Sequence, residues 1–301
     1  MRHGENRISP LPGRQPCFAP YGAHQRTGGI RTGEVCEPFT IRRTLRRGFD
    51  TIREFAPRGW LDAALQFFLF FAVYNGYQLV RGITDGNEEV AFANAHRLID
   101  IEKGLGTFFE PGFQETLLSH AWLIDSANFM YMNSHFVITT TFLAWLYFFR
   151  NEHFYFVRNM FMVAMVLALA CYAAFPTAPP RLIPEAGFTD TIAVFTGLPQ
   201  DSETVGLLVN KYAAVPSMHI AFSLMIAVPG MALAANPLAR VWWSAYPLLV
   251  LFVIVVTGNH FWLDAAAGAA VACVAAVSAR QLARVRPNHW AWREAPTRVV
   301  A

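Results

Sequence analysis

The sequence predicts an all-α membrane protein with six transmembrane helices and an amphipathic interfacial helix between the first and second. Three observations predict it. Of the 301 residues, 54% are hydrophobic and only 15% charged, where a soluble domain carries about 25% charge. Six segments hold the ~20 mostly apolar residues that a spanning helix needs: 60–80, 122–149, 157–175, 215–235, 241–258 and 260–280. Six such spans also place almost every clustered basic residue on one face.

Residues 1–55 are rich in Gly, Pro and Arg and show no apolar period. They read as a disordered tail with a basic juxtamembrane end, and they lack the apolar core of a signal peptide. The first span then acts as an uncleaved anchor. Between the first two spans, 84–120 is polar. Within it EEVAFANAHRLIDIEKGLGTFFE repeats apolar residues at helical spacing, as a helix lying at the membrane interface does. A Pro- and Gly-bearing loop, 176–214, joins the third span to the fourth, and only Asn259–His260 separates the fifth from the sixth. Residues 56–281 thus form the membrane domain and 282–301 a cytoplasmic tail.

Lys and Arg in short loops set orientation. Arg42, Arg43, Arg46, Arg47, Arg53 and Arg58 precede the first span. Arg150 and Arg158 follow the second, Arg240 follows the fourth, and Arg280, Arg284, Arg286, Arg293 and Arg298 close the chain. The opposite loop at 82–120 carries Asp85, Glu88, Glu89, Asp100, Glu102, Glu110 and Glu115 against Arg97 and Lys103. Both termini are therefore expected in the cytoplasm of a multi-pass cell-membrane protein. A net charge of +3, with its basic clusters flanking the membrane, offers no nucleic-acid surface. The cysteines at 17, 36, 171 and 273 match neither a metal site nor a disulfide framework. No metal or cofactor is expected, and nothing in the sequence speaks to oligomeric state.

Three motifs fall on the outer face of this arrangement, although the orientation used none of them. They are PTAPPR at 176–181, VPSMH at 215–219 and GNHFWLD at 258–264. His260 and Asp264 stand four residues apart, on one face of a helix. Such a pair either caps and packs the helix or holds an imidazole tautomer for chemistry, and an ionisable group in a membrane segment points to function. Pro216 and Ser217 suit a helix start, which His219 does not need. Free N–H groups there can hold phosphate oxygens, Ser217 can add a hydroxyl, and a protonated His219 can supply a leaving group with its proton. Arg181 either grips a phosphate in bidentate fashion or snorkels to the interface. Lys211 is a solvated loop lysine or a phosphate contact. Two polar stripes also reach the outer face: Tyr74, Gln78 and Arg81 on the first span, and Asp125, Asn128 and His135 on the second. Each lines a headgroup pocket or bonds neighbouring helices together.

Carrying these residues, the chain resembles the type-2 phosphatidic acid phosphatase superfamily over roughly residues 60–280. That family has a six-helix membrane core and three motifs: an Arg-Pro motif, Pro-Ser-Gly-His, and an Arg- and His-containing motif ending in HxxxD. The resemblance implies that His260 is a nucleophile forming a phosphohistidine and that Asp264 orients it. It implies His219 as the acid for the leaving group, Ser217 and Arg181 as phosphate holders, and no metal. The chain departs from the pattern at four places. Met218 replaces the Gly, Ile254 stands where an Arg precedes the nucleophile by six residues, Ala174 replaces the first motif's Lys, and no Pro follows Arg181. Such a reduced set resembles the inositol phosphorylceramide synthase-like, inositolphosphotransferase branch. Arg81 and Lys211 are the candidates to replace the missing cations, Arg81 the stronger because it ends a polar helical stripe. The expected function is cleavage or transfer of a lipid-linked phosphate at the outer leaflet, with water or an alcohol as acceptor. The alternative is a non-catalytic lipid-binding protein or transporter. A transporter needs a polar path through several helices, whereas polar residues here gather at one end.

Overall fold

The computed structural model describes residues 56–84, 88–197 and 212–285, excluding the side chains of Tyr74 and residues 77–84. The tail at 1–55, the chain beyond 285, Lys211, and the side chains of Tyr74, Gln78 and Arg81 lie outside the described residues. Every regular element described is helical, and Thr177 and Ala213 form an isolated parallel bridge.

Helix α1 spans Trp60–Thr84, α2 Glu88–Gly104 and α3 Glu110–Leu118. Next come α4 at Ala121–Phe129, a π-helical turn at Met130–Ser134 and α5 at His135–Phe149. Helix α6 is Asn151–Ala174 and α7 is the short Thr191–Thr196. Helices α8 (Met218–Leu233), α9 (Pro237–Val256) and α10 (Trp262–Val285) complete the described chain.

Helices α6, α9 and α10 are long and apolar enough to cross a membrane. The apolar stretch of α1, Trp60–Val73, and helix α8 are shorter. The apolar run at 122–149, expected as one span, is α4 and α5 joined without a break by the wide π turn. Exposed Leu61, Phe67, Val166, Leu238, Leu248 and Val277 give the helices an apolar exterior of the kind that faces lipid. These helices mark a membrane protein.

Lipid is as apolar as leucine, so helices in it associate through close packing rather than the hydrophobic effect. Small residues provide that here. Ala265, Gly268, Ala272, Ala275 and Ala279 form the buried stripe of α10, which lies along α6 and α8. At Gly268 a Cβ would fall on the backbone oxygen of Ser217, so the two helices meet there at backbone contact. Large side chains such as Leu146, Tyr155, Ile226 and Ile254 fill the rest of this core.

Helix α2 has the expected amphipathic pattern, with Ala91, Asn94, Ala95, Leu98, Ile99 and Glu102 buried. That face packs against Ala178, Ile183, Phe188, Tyr212 and Phe261. The buried face of this helix, expected at the membrane interface, is therefore covered by the chain's own segments. Periodicity reports that a face is buried, and is silent on what buries it.

Candidate active site

The end of α6, the start of α8, the end of α9 and the start of α10 meet at one end of the bundle, and the three motifs occupy these ends. Backbone hydrogen bonds tie the motifs together. Arg181 N donates to Gly258 O (2.7 Å) and Ser217 N donates to Asp264 O (2.9 Å). Gly258 follows the end of α9 with φ 66°, the left-handed conformation that favours glycine at a helix end.

Asp264 is fully buried. Its Oδ2 accepts from Phe261 N (2.9 Å) and lies 3.3 Å from His260 Nδ1. The closer partner of Nδ1 is the backbone oxygen of Ala214, at 3.0 Å. A carbonyl can only accept, so Nδ1 carries the proton and Nε2 keeps its lone pair. The tautomer is thus set by a group on the loop before α8 as well as by the carboxylate. The spacing of His260 and Asp264 signals the carboxylate; nothing local signals the carbonyl.

The His219 ring stands with its centroid 5.6 Å from that of His260. Tyr131 stacks on it at 4.4 Å and 22°, and His135 approaches at 5.1 Å. His135 Nδ1 bonds the Tyr246 hydroxyl at 2.9 Å. The π turn therefore delivers two aromatic side chains, Tyr131 from within it and His135 from just beyond it, to one histidine. Single wide turns of this sort recur at functional sites. Of the stripe on the second predicted span, His135 joins the cluster and the other two do not. Asn128 is buried and donates to Thr191 O (3.0 Å), so it secures the start of α7. Asp125 is exposed.

Ser217 occupies the N-cap of α8 with extended backbone but makes no side-chain cap bond. Arg181 is buried and its Nη1 donates to Asp190 Oδ2 at 3.0 Å. Asp190 Oδ1 meanwhile accepts from Ile192 N and Ala193 N, capping α7. Asp190 escapes a motif search, since its sequence signal is only that of an ordinary helix cap before Thr191. Among the described residues of the motifs, four buried polar atoms have no protein partner: Arg181 Nε, Ser217 Oγ, Asn259 Oδ1 and Asp264 Oδ1. Each such atom costs about 1–3 kcal/mol, and each is a group that calls for an explanation.

The two positions where the resembled family carries cations hold none. Ile254 is wholly buried in the apolar core, and its carbonyl accepts from Asn259 N and His260 N. Ala174 is the last residue of α6 and is exposed.

A family model described as the PAP2 superfamily matches residues 96–278, more than half the chain. No curated protein and no solved structure matches it. The matched stretch contains all three motifs and the helix ends that bring them together, and the chain belongs to the PAP2 superfamily.

Proposed function

We propose that the protein is an integral membrane enzyme that cleaves or transfers a lipid-linked phosphate group through a phosphohistidine on His260. The His260 ring carries this reading: its Nδ1 is held by Ala214 O and Asp264, and its Nε2 lone pair is left for attack on phosphorus. In the first step Nε2 bonds to phosphorus, the bond from phosphorus to the leaving oxygen breaks, and His219 gives that oxygen a proton. In the second, an acceptor hydroxyl attacks phosphorus, the P–N bond breaks, and His219 takes the acceptor's proton. Arg181 and Ser217 hold the non-bridging oxygens, through a guanidinium and a hydroxyl that both retain bonding capacity.

Superfamily membership fits either water or an alcohol as acceptor. The surviving PS-x-H and HxxxD patterns, with Met218, Ile254 and Ala174 in the family's other places, favour the alcohol and the inositolphosphotransferase-like branch. Six spans, cytoplasmic termini and a site on the extracytoplasmic face follow from the distribution of Lys and Arg. Arg81 and Lys211 are then the cations that supplement Arg181.

The test is turnover of a panel of labelled lipid phosphates by protein in lipid nanodiscs, with and without alcohol acceptors. Loss of turnover and of the acid-labile phosphoenzyme in His260→Ala is expected, and His219→Ala should lose about 10²–10⁴-fold. Label arriving in a new lipid identifies a transferase, and label released as orthophosphate a phosphatase. Undiminished turnover in His260→Ala would remove the nucleophile. A wild-type protein that binds lipid phosphates without turning any over would instead support a non-catalytic lipid-binding protein.

A further inference from the structure

The start of α10 is held in an unusual way. The first N–H groups of a helix have no partner within it, and one short side chain usually caps them. Here three consecutive backbone N–H groups each meet a different carboxyl group. Phe261 N donates to Asp264 Oδ2 (2.9 Å), Trp262 N to Glu110 Oε1 (3.0 Å) and Leu263 N to Glu102 Oε1 (3.3 Å). Glu102 ends a buried stripe of α2 and Glu110 opens α3, and neither is accessible to solvent. The turn between those helices adds a fourth contact, Trp262 Nε1 to Thr107 Oγ1 at 3.1 Å.

The same two helices also hold the other outer segments. Asn94 Nδ2 donates to Pro176 O (2.8 Å), and Ala178 N donates to Ala91 O (3.1 Å). Gln114 Nε2 donates to Val256 O (3.1 Å), and Gln114 Oε1 accepts from Thr189 N (2.9 Å). The α2–α3 hairpin is therefore joined to the segments bearing Arg181, Asp190 and His260. The three carboxyls make no metal cradle, since no metal-binding group of three His, Cys, Asp or Glu exists among the described residues.

We infer that Glu102 and Glu110 are positioning residues, holding the His260–Asp264 turn by its backbone so that the α2–α3 hairpin fixes where the His260 ring points. This rests on the reading of His260 as nucleophile. Trp262 and Leu263 are the residues between His260 and Asp264 whose N–H groups the two glutamates hold, so slack in either bond moves both ends of the pair. Burying a carboxyl is costly, and the groups facing Glu102 are Glu110 from α3 and Asp264 from α10. Burial foremost, then the Glu110 charge, push the Glu102 carboxyl up to about 8. Glu102 thus works as a neutral acid at neutral pH. Lys103, next in sequence, turns away to the Phe108 ring.

The experiment compares Glu110→Ala, Glu110→Gln, Glu102→Ala and Glu102→Gln with wild type in nanodiscs. It follows kcat and KM together with the ¹⁵N side-chain signals of His260, which report its tautomer without any turnover. Glutamine keeps the accepting oxygen and removes the titratable group. The alanine variants should lose kcat by about 100-fold, as small displacements at a reacting centre do, with KM little changed and the Nδ1–H signal of His260 broadened or split. The glutamine variants should keep one sharp His260 signal, and Glu102→Gln should keep a kcat close to wild type. An unmoved His260 signal and full kcat in both alanine variants would overturn the inference. If those variants fail to fold, a Glu102→Gln protein as impaired as one lacking His260 overturns it. A wild-type protein with no turnover whose His260 signal still shifts in Glu110→Ala would sink the enzymatic reading and leave the positioning role standing.

Discussion

Replacing Gly268 with alanine sets two effects against each other. In an isolated helix alanine is favoured over glycine by about 1 kcal/mol. In α10 the new Cβ would fall on the Ser217 carbonyl oxygen, with Ser217 C at 3.1 Å and Ala221 N at 3.5 Å. These are backbone atoms in the first turn of α8, so no side-chain rotation relieves the overlap. Overpacking of this kind costs about 1–3 kcal/mol, so stability should fall despite the better helix former. The relief available is for the start of α8 to move off α10, which carries Ser217 and His219 away from His260. A displacement near 1 Å at a reacting centre can cost about 100-fold in rate. Gly268→Ala should therefore melt below wild type in detergent and lose turnover by about that factor. Gly76→Ala, at a helical site with nothing within 4 Å of the added Cβ, should melt at or slightly above wild type. Thermal unfolding and lipid-phosphate turnover on the same preparations measure both. A Gly268→Ala protein with wild-type melting and wild-type turnover would refute the backbone contact as the reason for the glycine.

Asp190→Ala leaves the buried Arg181 guanidinium without its carboxylate. A loss of about 3–5 kcal/mol is expected, seen as a lowered melting temperature that the double change with Arg181→Met partly restores. His135→Phe strands the buried Tyr246 hydroxyl. It should cost about 1–3 kcal/mol, and the same melt on Tyr246→Phe/His135→Phe should recover part of it. Glu102 titrates at about 8 when folded, against an ordinary 4.5, so the folded protein retains a proton that the unfolded chain releases. The stability tied to that proton is present below 4.5 and is lost as pH rises through about 8. Melting followed across this window should flatten in Glu102→Gln, and a variant as pH-sensitive as wild type would contradict the assignment.

The chemistry-bearing residues were legible because their signals are local. His260 and Asp264 are four apart, Ser217 and His219 open one helix, and Arg181 ends one loop motif. The Lys and Arg of the loops led to the expectation that all three motifs share one face of the membrane. The helical class was legible from hydropathy, but the π turn was not, since Met130–Ser134 differs from the α-helices around it in hydrogen-bond register, which no residue type marks. The buttress was illegible for a different reason. Glu102 and Glu110 bond backbone N–H groups more than 150 residues away, and a backbone donor has no residue type to recognise. In the sequence these two counted only as acidic loop charges. Asn128 shows the converse: a polar residue on the right face whose bonding capacity goes to Thr191.

The Arg181–Asp190 pair makes ligand arrival an exchange of counter-ions. A lone guanidinium would draw any anion, with an occupancy that follows ionic strength. Here the guanidinium is already paired in a buried salt bridge, with Nη1 committed to Asp190 and Nε spare. On the proposed reaction, an incoming phosphate takes the other edge of the guanidinium or displaces Asp190 from it. Arg181 pulls a dianion about twice as strongly as a monoanion at the same distance, and Asp190 pushes it about twice as strongly. A pair with no net charge therefore selects less by the ligand's charge than by its ability to exchange for a carboxylate.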